Sequence, residues 1–141
     1  MIVGYFDEGP DGINKLDMDK WVSQGVEFLG RKEDVREVIS MASIYVLPSY
    51  REGTPRSTLE AMSMGRPIIT TDAPGCKETV IDGETGFIVP IRNVERLAER
   101  MKRLVDDHAL RSEMGQKSYD FCKDKYDVKS VNAALIEILS E

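Results

Sequence analysis

Short apolar runs alternate along this chain with longer stretches whose apolar positions recur every three or four residues. Ile44–Leu47, stopped by Pro48, has the pattern of a strand buried on both faces. Met1–Phe6, Val26–Leu29, Pro67–Thr70 and Phe87–Val89 read the same way, which makes five strands. Helical spacing predicts helices over Leu16–Ser23, ended by Gly25, and over Glu33–Ala42, with Val35, Val38, Ile39 and Ala42 on one side. A short helix is predicted at Lys77–Ile81, after which Asp82-Gly and Thr85-Gly mark turns. Asn93 caps an amphipathic helix whose inward stripe is Val94, Leu97, Ala98, Met101, Leu104 and Val105. Leu110–Lys123 is another helix. Asp127 caps the last one, with Val128, Val131, Leu135 and Ile138 turned inward. Residues 7–14 are loop. Strands alternating with helices imply an α/β fold, a parallel sheet covered by helices on both faces.

The middle of the pattern, residues 46–65, carries the chemistry. After the strand, Ser49–Gly53 is a small polar loop. Thr54 reads as an N-cap and Pro55 as the first helical residue, where its missing N–H costs nothing. The helix runs to about Met64 with Leu59, Met62 and Ser63 inward; Gly65 terminates it and Pro67 cannot continue it. A helix start placed beyond the carboxyl end of a parallel strand offers unpaired N–H groups and a partial positive charge, which suits phosphate. Gly53 and Thr54 would donate from the backbone, and Arg56 and Ser57 from side chains in the first turn. Glu52 precedes the helix, and Glu60 follows its cap by a separation of about 9 Å along the axis. Two carboxylates so placed do not share a proton. They can hold two ends of a ligand whose middle is anionic. Taken singly, Glu60 is also an ordinary exposed helix residue, Glu52 a loop carboxylate near a helix start, and Arg31 a solvated loop cation.

Composition narrows the field. The chain has 141 residues, 41% hydrophobic and 31% charged, with a net charge of −6. One domain is expected, with no global attraction to nucleic acid or to an anionic membrane. Arg51 and Arg56 leave room for a local basic site. No apolar run reaches membrane-span length, and no signal peptide opens the chain. Cys76 and Cys122 fit no metal or redox spacing and read as free thiols. His108 reads as a solvated loop residue, and no metal-ligand cluster is seen. A glycoside hydrolase using Glu52 and Glu60 as acid and nucleophile is a poor fit, because such enzymes hold the pair about 5–9 Å apart across one bond and usually on a scaffold other than this sheet.

Glu52-Gly-Thr-Pro-Arg-Ser-Thr-Leu-Glu60, with Val-Leu-Pro-Ser before it and Glu-Ala-Met-Ser-Met-Gly-Arg-Pro-Ile-Ile after it, resembles a family signature. It is the glutamate–seven residues–glutamate motif of retaining glycosyltransferases with two Rossmann-like domains, the GT-B family 4 type. Phe28-Leu-Gly30, Ala73–Val80 and Asp82–Pro90 extend the resemblance over essentially the whole chain. It implies a Rossmann-like domain, the C-terminal, donor-binding half of a GT-B fold. By resemblance Glu52 contacts the donor sugar, Glu60 the ribose hydroxyls, the intervening backbone the diphosphate, and Arg31 the nucleobase. The donor is a nucleotide-sugar, a UDP-sugar by resemblance, with no metal or other cofactor. The acceptor is a glycan or polyprenyl-linked oligosaccharide in capsule or O-antigen synthesis, bound by an N-terminal domain. The full enzyme would be cytoplasmic, peripheral to the inner face of the plasma membrane. The chain departs from the pattern at its start, where the family's first strand and a loop bearing an arginine and a lysine are not found. A reduced stability and no transferase activity from this chain alone are therefore expected. The alternative is a non-catalytic nucleotide-sugar-binding fragment that needs a partner chain.

Overall fold

The computed structural model describes residues 1–6 and 12–139, and their side chains except those of residues 130 and 133–135. They form two compact units, Met1–Glu37 and Val38–Glu141. In the first unit, Ile2 and Phe28 form a parallel bridge, with Ile2 N–H donating to Glu27 C=O (2.7 Å) and Leu29 N–H to Ile2 C=O (2.9 Å). Helix α1 (Lys15–Ser23) is capped by Asn14, whose side chain accepts from Asp17 N–H, and Met18 is its buried residue. Gly25 follows it with φ +98°, as the terminator role requires. Helix α2 (Arg36–Met41) leads into the second unit.

The second unit holds a three-stranded parallel sheet in the order β1 (Tyr45–Leu47), β2 (Ile68–Thr71), β3 (Gly86–Val89). Tyr45 stands opposite Ile68, and Ile69 opposite Phe87. All four β2 residues are buried, as befits the central strand. Alternation sends Val46, Ile69, Phe87 and Val89 to one face, where they form a core with Leu104 and Met114. Leu104 comes from α4 (Val94–Asp106) and Met114 from α5 (His108–Tyr126). Tyr45 points the other way and meets α3 (Arg56–Ser63), the crossover between β1 and β2. The predicted α/β class and helix-covered parallel sheet are what the residues build.

Several details depart from the sequence pattern. The described residues hold three strands in this sheet, not five. Among the described residues the first two predicted strands form no ladder; they meet at the isolated Ile2–Phe28 bridge, with Gly4 N–H donating to Gly30 C=O (3.1 Å) and the Phe6 and Phe28 rings 5.2 Å apart. On α4 the inward stripe is narrower than predicted. Leu104 is buried and Leu97 half-buried, whereas Val94, Ala98, Met101 and Val105 are exposed. Arg100 and Arg103 lie over the Phe87 ring (4.6 and 5.3 Å), so long basic side chains share the cover that apolar ones were predicted to give. On α6 (Val128–Leu139), Val128, Val131 and Ile138 are exposed rather than inward, because α6 packs along α5. Leu135 falls outside the described side chains. Asp107 accepts from Leu110 N–H at 2.9 Å and starts α5 early, so exposed His108 heads a helix instead of sitting in a loop.

Asn93 caps α4 as predicted, its side chain accepting from Arg96 N–H at 3.0 Å. Replacing it with alanine leaves that N–H unpaired, and thermal unfolding should register a loss of about 1 kcal/mol. An unchanged melt would show that α4 frays without cost. Cys76 and Cys122 are free and buried, and burial pushes the Cys122 thiol pKa up.

Candidate functional site

The loop that follows β1 is fixed from below by β2. Thr70 Oγ1 donates to Leu47 C=O at 2.9 Å, and Thr71 Oγ1 donates to Ser49 C=O. Ser49 Oγ in turn donates to Glu52 Oε1 at 2.7 Å, so the carboxylate predicted to meet a ligand is oriented before any arrives. Glu52 N–H donates to Pro74 C=O at 3.0 Å. Beneath that contact lies Gly75 at φ +80°. A Cβ there would stand 1.9 Å from Gly53 O and 2.2 Å from Glu52 O, so the two loops touch backbone to backbone.

Helix α3 begins one residue later than the sequence predicts. Pro55, not Thr54, is the N-cap, with φ −69° and ψ 112°, and no side chain caps the helix. The residue before a proline is held out of the helical region, which leaves Thr54 exposed in the loop. Pro55 C=O accepts from Thr58 N–H (3.0 Å) and Leu59 N–H (3.3 Å). Thr58, Ala61 and Met62 are the buried positions of α3. Leu59 is half-buried, and Ser63 is exposed with its hydroxyl on Glu60 C=O. Gly65 follows at φ +68°, the terminator the sequence placed there.

One consequence is chemical. Among the described residues, the backbone N–H groups of Gly53, Thr54, Arg56 and Ser57 donate to no protein acceptor. Pro55 has none to offer. Half-buried Glu52 precedes this run, and half-buried Glu60 lies beyond it on α3; neither is in an ion pair among the described residues. Arg56 is exposed in the first turn, and Ser57 is half-buried beside it. These residues thus form one constellation within the second unit. Exposed Arg31 lies in the first unit.

Four supporting residues escaped sequence reasoning about this site: Tyr45, Ser49, Thr71 and Gly75. Gly75 carried a signal, a glycine after Ala73-Pro74. The others look like ordinary strand and loop residues. Tyr45, first in β1, donates its hydroxyl to Ser57 Oγ at 2.7 Å. Burial raises its pKa. The hydrogen bond to Ser57 opposes this, and the nearby Glu52 and Glu60 charges add to the rise. On the mouth of the loop, Arg92 stacks over exposed Tyr50 at 5.3 Å. Glu78 plays a tying role: its carbonyl accepts from Lys125 Nζ (2.8 Å) and Tyr126 OH (3.0 Å) on α5. An open polar cavity of about 610 Å³ lies at the other end of α3, lined in part by Arg66, His108 and Arg111, and includes neither glutamate. Among the described residues no cluster of His, Cys, Asp or Glu is arranged to hold a metal, and no helix is long and apolar enough to cross a membrane.

The family model described as glycosyl transferases group 1 matches residues 1–107. An N,N'-diacetylbacillosaminyl-diphospho-undecaprenol alpha-1,3-N-acetylgalactosaminyltransferase from Campylobacter jejuni is 34% identical over 111 residues, covering 79% of this chain and 29% of that protein. The lipopolysaccharide core biosynthesis glycosyltransferase LpsE of Rhizobium meliloti is 26% identical over 133 residues, covering 94% of this chain and 39% of its own length. Among solved structures, the C-terminal domain of a glycosyl transferase group 1 family protein (LpcC) from Francisella tularensis superposes with a TM-score of 0.66 at 29% identity, over 80% of this chain and 64% of that one. Anabaena Alr3699/HepE, solved in complex with UDP, has the same fold, with a TM-score of 0.83 at 24% identity over 98% of this chain and 39% of that one. The chain thus spans well under half the length of the curated relatives it matches.

Proposed function

The chain belongs to the glycosyl transferases group 1 family, and from that premise we propose that it is the donor-binding part of a retaining glycosyltransferase of the GT-B type. The observation that carries the reading is the run of four unpaired N–H donors between Glu52 and Glu60. A diphosphate laid across Gly53, Thr54, Arg56 and Ser57 would meet those donors and the positive end of α3. Arg56 adds a forked cation. Glu60 then accepts from the ribose hydroxyls on one side, and Glu52, held by Ser49, meets the sugar on the other. Arg31 is assigned to the nucleobase on the family resemblance alone.

In this reading the protein's catalytic contribution is electrostatic. Donors already in place stabilise the negative charge that grows on the departing diphosphate. No side chain of the constellation is placed as a nucleophile, and a leaving-phosphate oxygen takes the proton of the acceptor hydroxyl. The acceptor is a glycan or a lipid-linked saccharide, a choice supported by the diphospho-undecaprenol in the name of the Campylobacter relative. It would bind on a separate acceptor domain, in an enzyme working at the cytoplasmic face of a membrane. This chain alone is therefore expected to bind donor without transferring sugar.

UDP, the nucleotide that Alr3699/HepE carries, is the first probe. Calorimetric titration of this chain with UDP, GDP and ADP should show saturable binding strongest for UDP. A chain with intact circular dichroism that binds none of the three would overturn the donor-site reading. Sugar transfer by the chain alone would overturn its dependence on an acceptor domain.

A further inference from the structure

Tyr45 and Ser57 make a contact that neither the motif nor the fold requires. Tyr45 opens β1 and points to the face that receives α3, and Ser57 is the second residue of that helix. The phenol donates to Ser57 Oγ at 2.7 Å. A hydroxyl that accepts there still carries its own proton, and that proton is directed away from the phenol. A serine in the first turn of a helix would otherwise turn its proton onto a nearby backbone carbonyl. Here the phenol holds the oxygen in place, beside the unpaired N–H groups of Arg56 and Ser57.

We propose that Tyr45 is a positioning residue that fixes the Ser57 hydroxyl as a donor to an anionic oxygen of the bound diphosphate. This rests on the donor-site reading above and adds one specific group to it. The raised pKa of Tyr45 fits the role, since a phenol kept protonated at neutral pH remains the donor in this pair.

The test compares UDP with uridine, which lacks the diphosphate. Affinities are read by calorimetry for UDP and by NMR titration for uridine, on wild type, Tyr45→Phe, Ser57→Ala and the double variant. Tyr45→Phe should weaken UDP about three- to tenfold, the size of one hydrogen bond, and leave uridine unchanged. Ser57→Ala should do the same. The double variant should be no weaker than either single one, because both remove the same interaction. A folded Tyr45→Phe that binds UDP as wild type does, or loses UDP and uridine equally, overturns the proposal, as does an additive double variant. If Tyr45→Phe fails to fold, Ser57→Ala decides alone: an unchanged ratio of UDP to uridine affinity overturns it. Wild type that is folded yet binds no UDP defeats the donor-site reading itself, and the inference falls with it.

Discussion

Glu60→Gln should lower the affinity of this chain for UDP by about 10- to 150-fold while leaving its thermal unfolding nearly unchanged. The size follows from what the carboxylate would do. A ribose diol presents two O–H donors, and a half-buried carboxylate accepts both with charge assistance, a contribution of about 1.5–3 kcal/mol. Glutamine keeps the shape of the side chain but offers one accepting oxygen and no charge. Stability should barely move, because Glu and Gln have similar helix propensities and Glu60 makes no ion pair among the described residues. The ribose assignment has its own control. 2′-Deoxy-UDP should bind wild type more weakly than UDP, and Glu60→Gln should narrow that gap. Equal affinity of the two proteins for UDP would remove Glu60 from the site.

That prediction could be framed from the sequence, because the features behind it are local. A proline after a small polar loop, a glutamate on either side and a glycine at the far end are signals within one strand–loop–helix unit. Their chemistry depends on backbone direction more than on packing. Gly65 and Asn93 terminate and cap where the pattern put them. The misplaced cap at Thr54 is an error of one residue, and with no side chain capping the helix the Arg56 and Ser57 N–H groups stay unpaired. What the pattern could not show depends on neighbours distant in sequence. Val94 and Val105 fit a helical stripe, yet which side of α4 is covered was decided by Phe87, onto which Arg100 and Arg103 fold. Apolar period alone does not count an arginine stem as cover. Tyr45 reads as a strand residue because β-propensity and a buried phenol look the same in one dimension. Its contact with Ser57 appears only when the crossover brings α3 over β1. Thr71 and Ser49 are 22 residues apart, and the bond that seats the Glu52 loop is formed across that separation.

A steep cost should come from Gly75→Ala, and Gly83→Ala is its natural control. Both glycines sit at nearly the same left-handed backbone angle, φ +80° and +79°. An L-residue there costs about 1–2 kcal/mol at either position. The two differ in what a methyl group would meet: nothing within 4 Å at Gly83, but Gly53 O at 1.9 Å and Glu52 O at 2.2 Å at Gly75. Those are backbone atoms, and a Cβ needs more than 3 Å from them, so the loop must move by over an ångström or the turn must open. Overpacking of this kind adds about 1–3 kcal/mol, for a total near 2–5 kcal/mol against about 1–2 kcal/mol for the control. Where that energy appears says how the site is built. If the two loops stay joined through Glu52 N–H and Pro74 C=O, the cost falls on the melt. If they part, the melt recovers and Glu52 and Gly53 leave their places, so affinity for a nucleotide-sugar falls at least as far as in Glu60→Gln. Gly83→Ala should keep wild-type affinity throughout. A Gly75→Ala protein matching Gly83→Ala in both melting temperature and affinity would show that the close approach of these loops does not support the site.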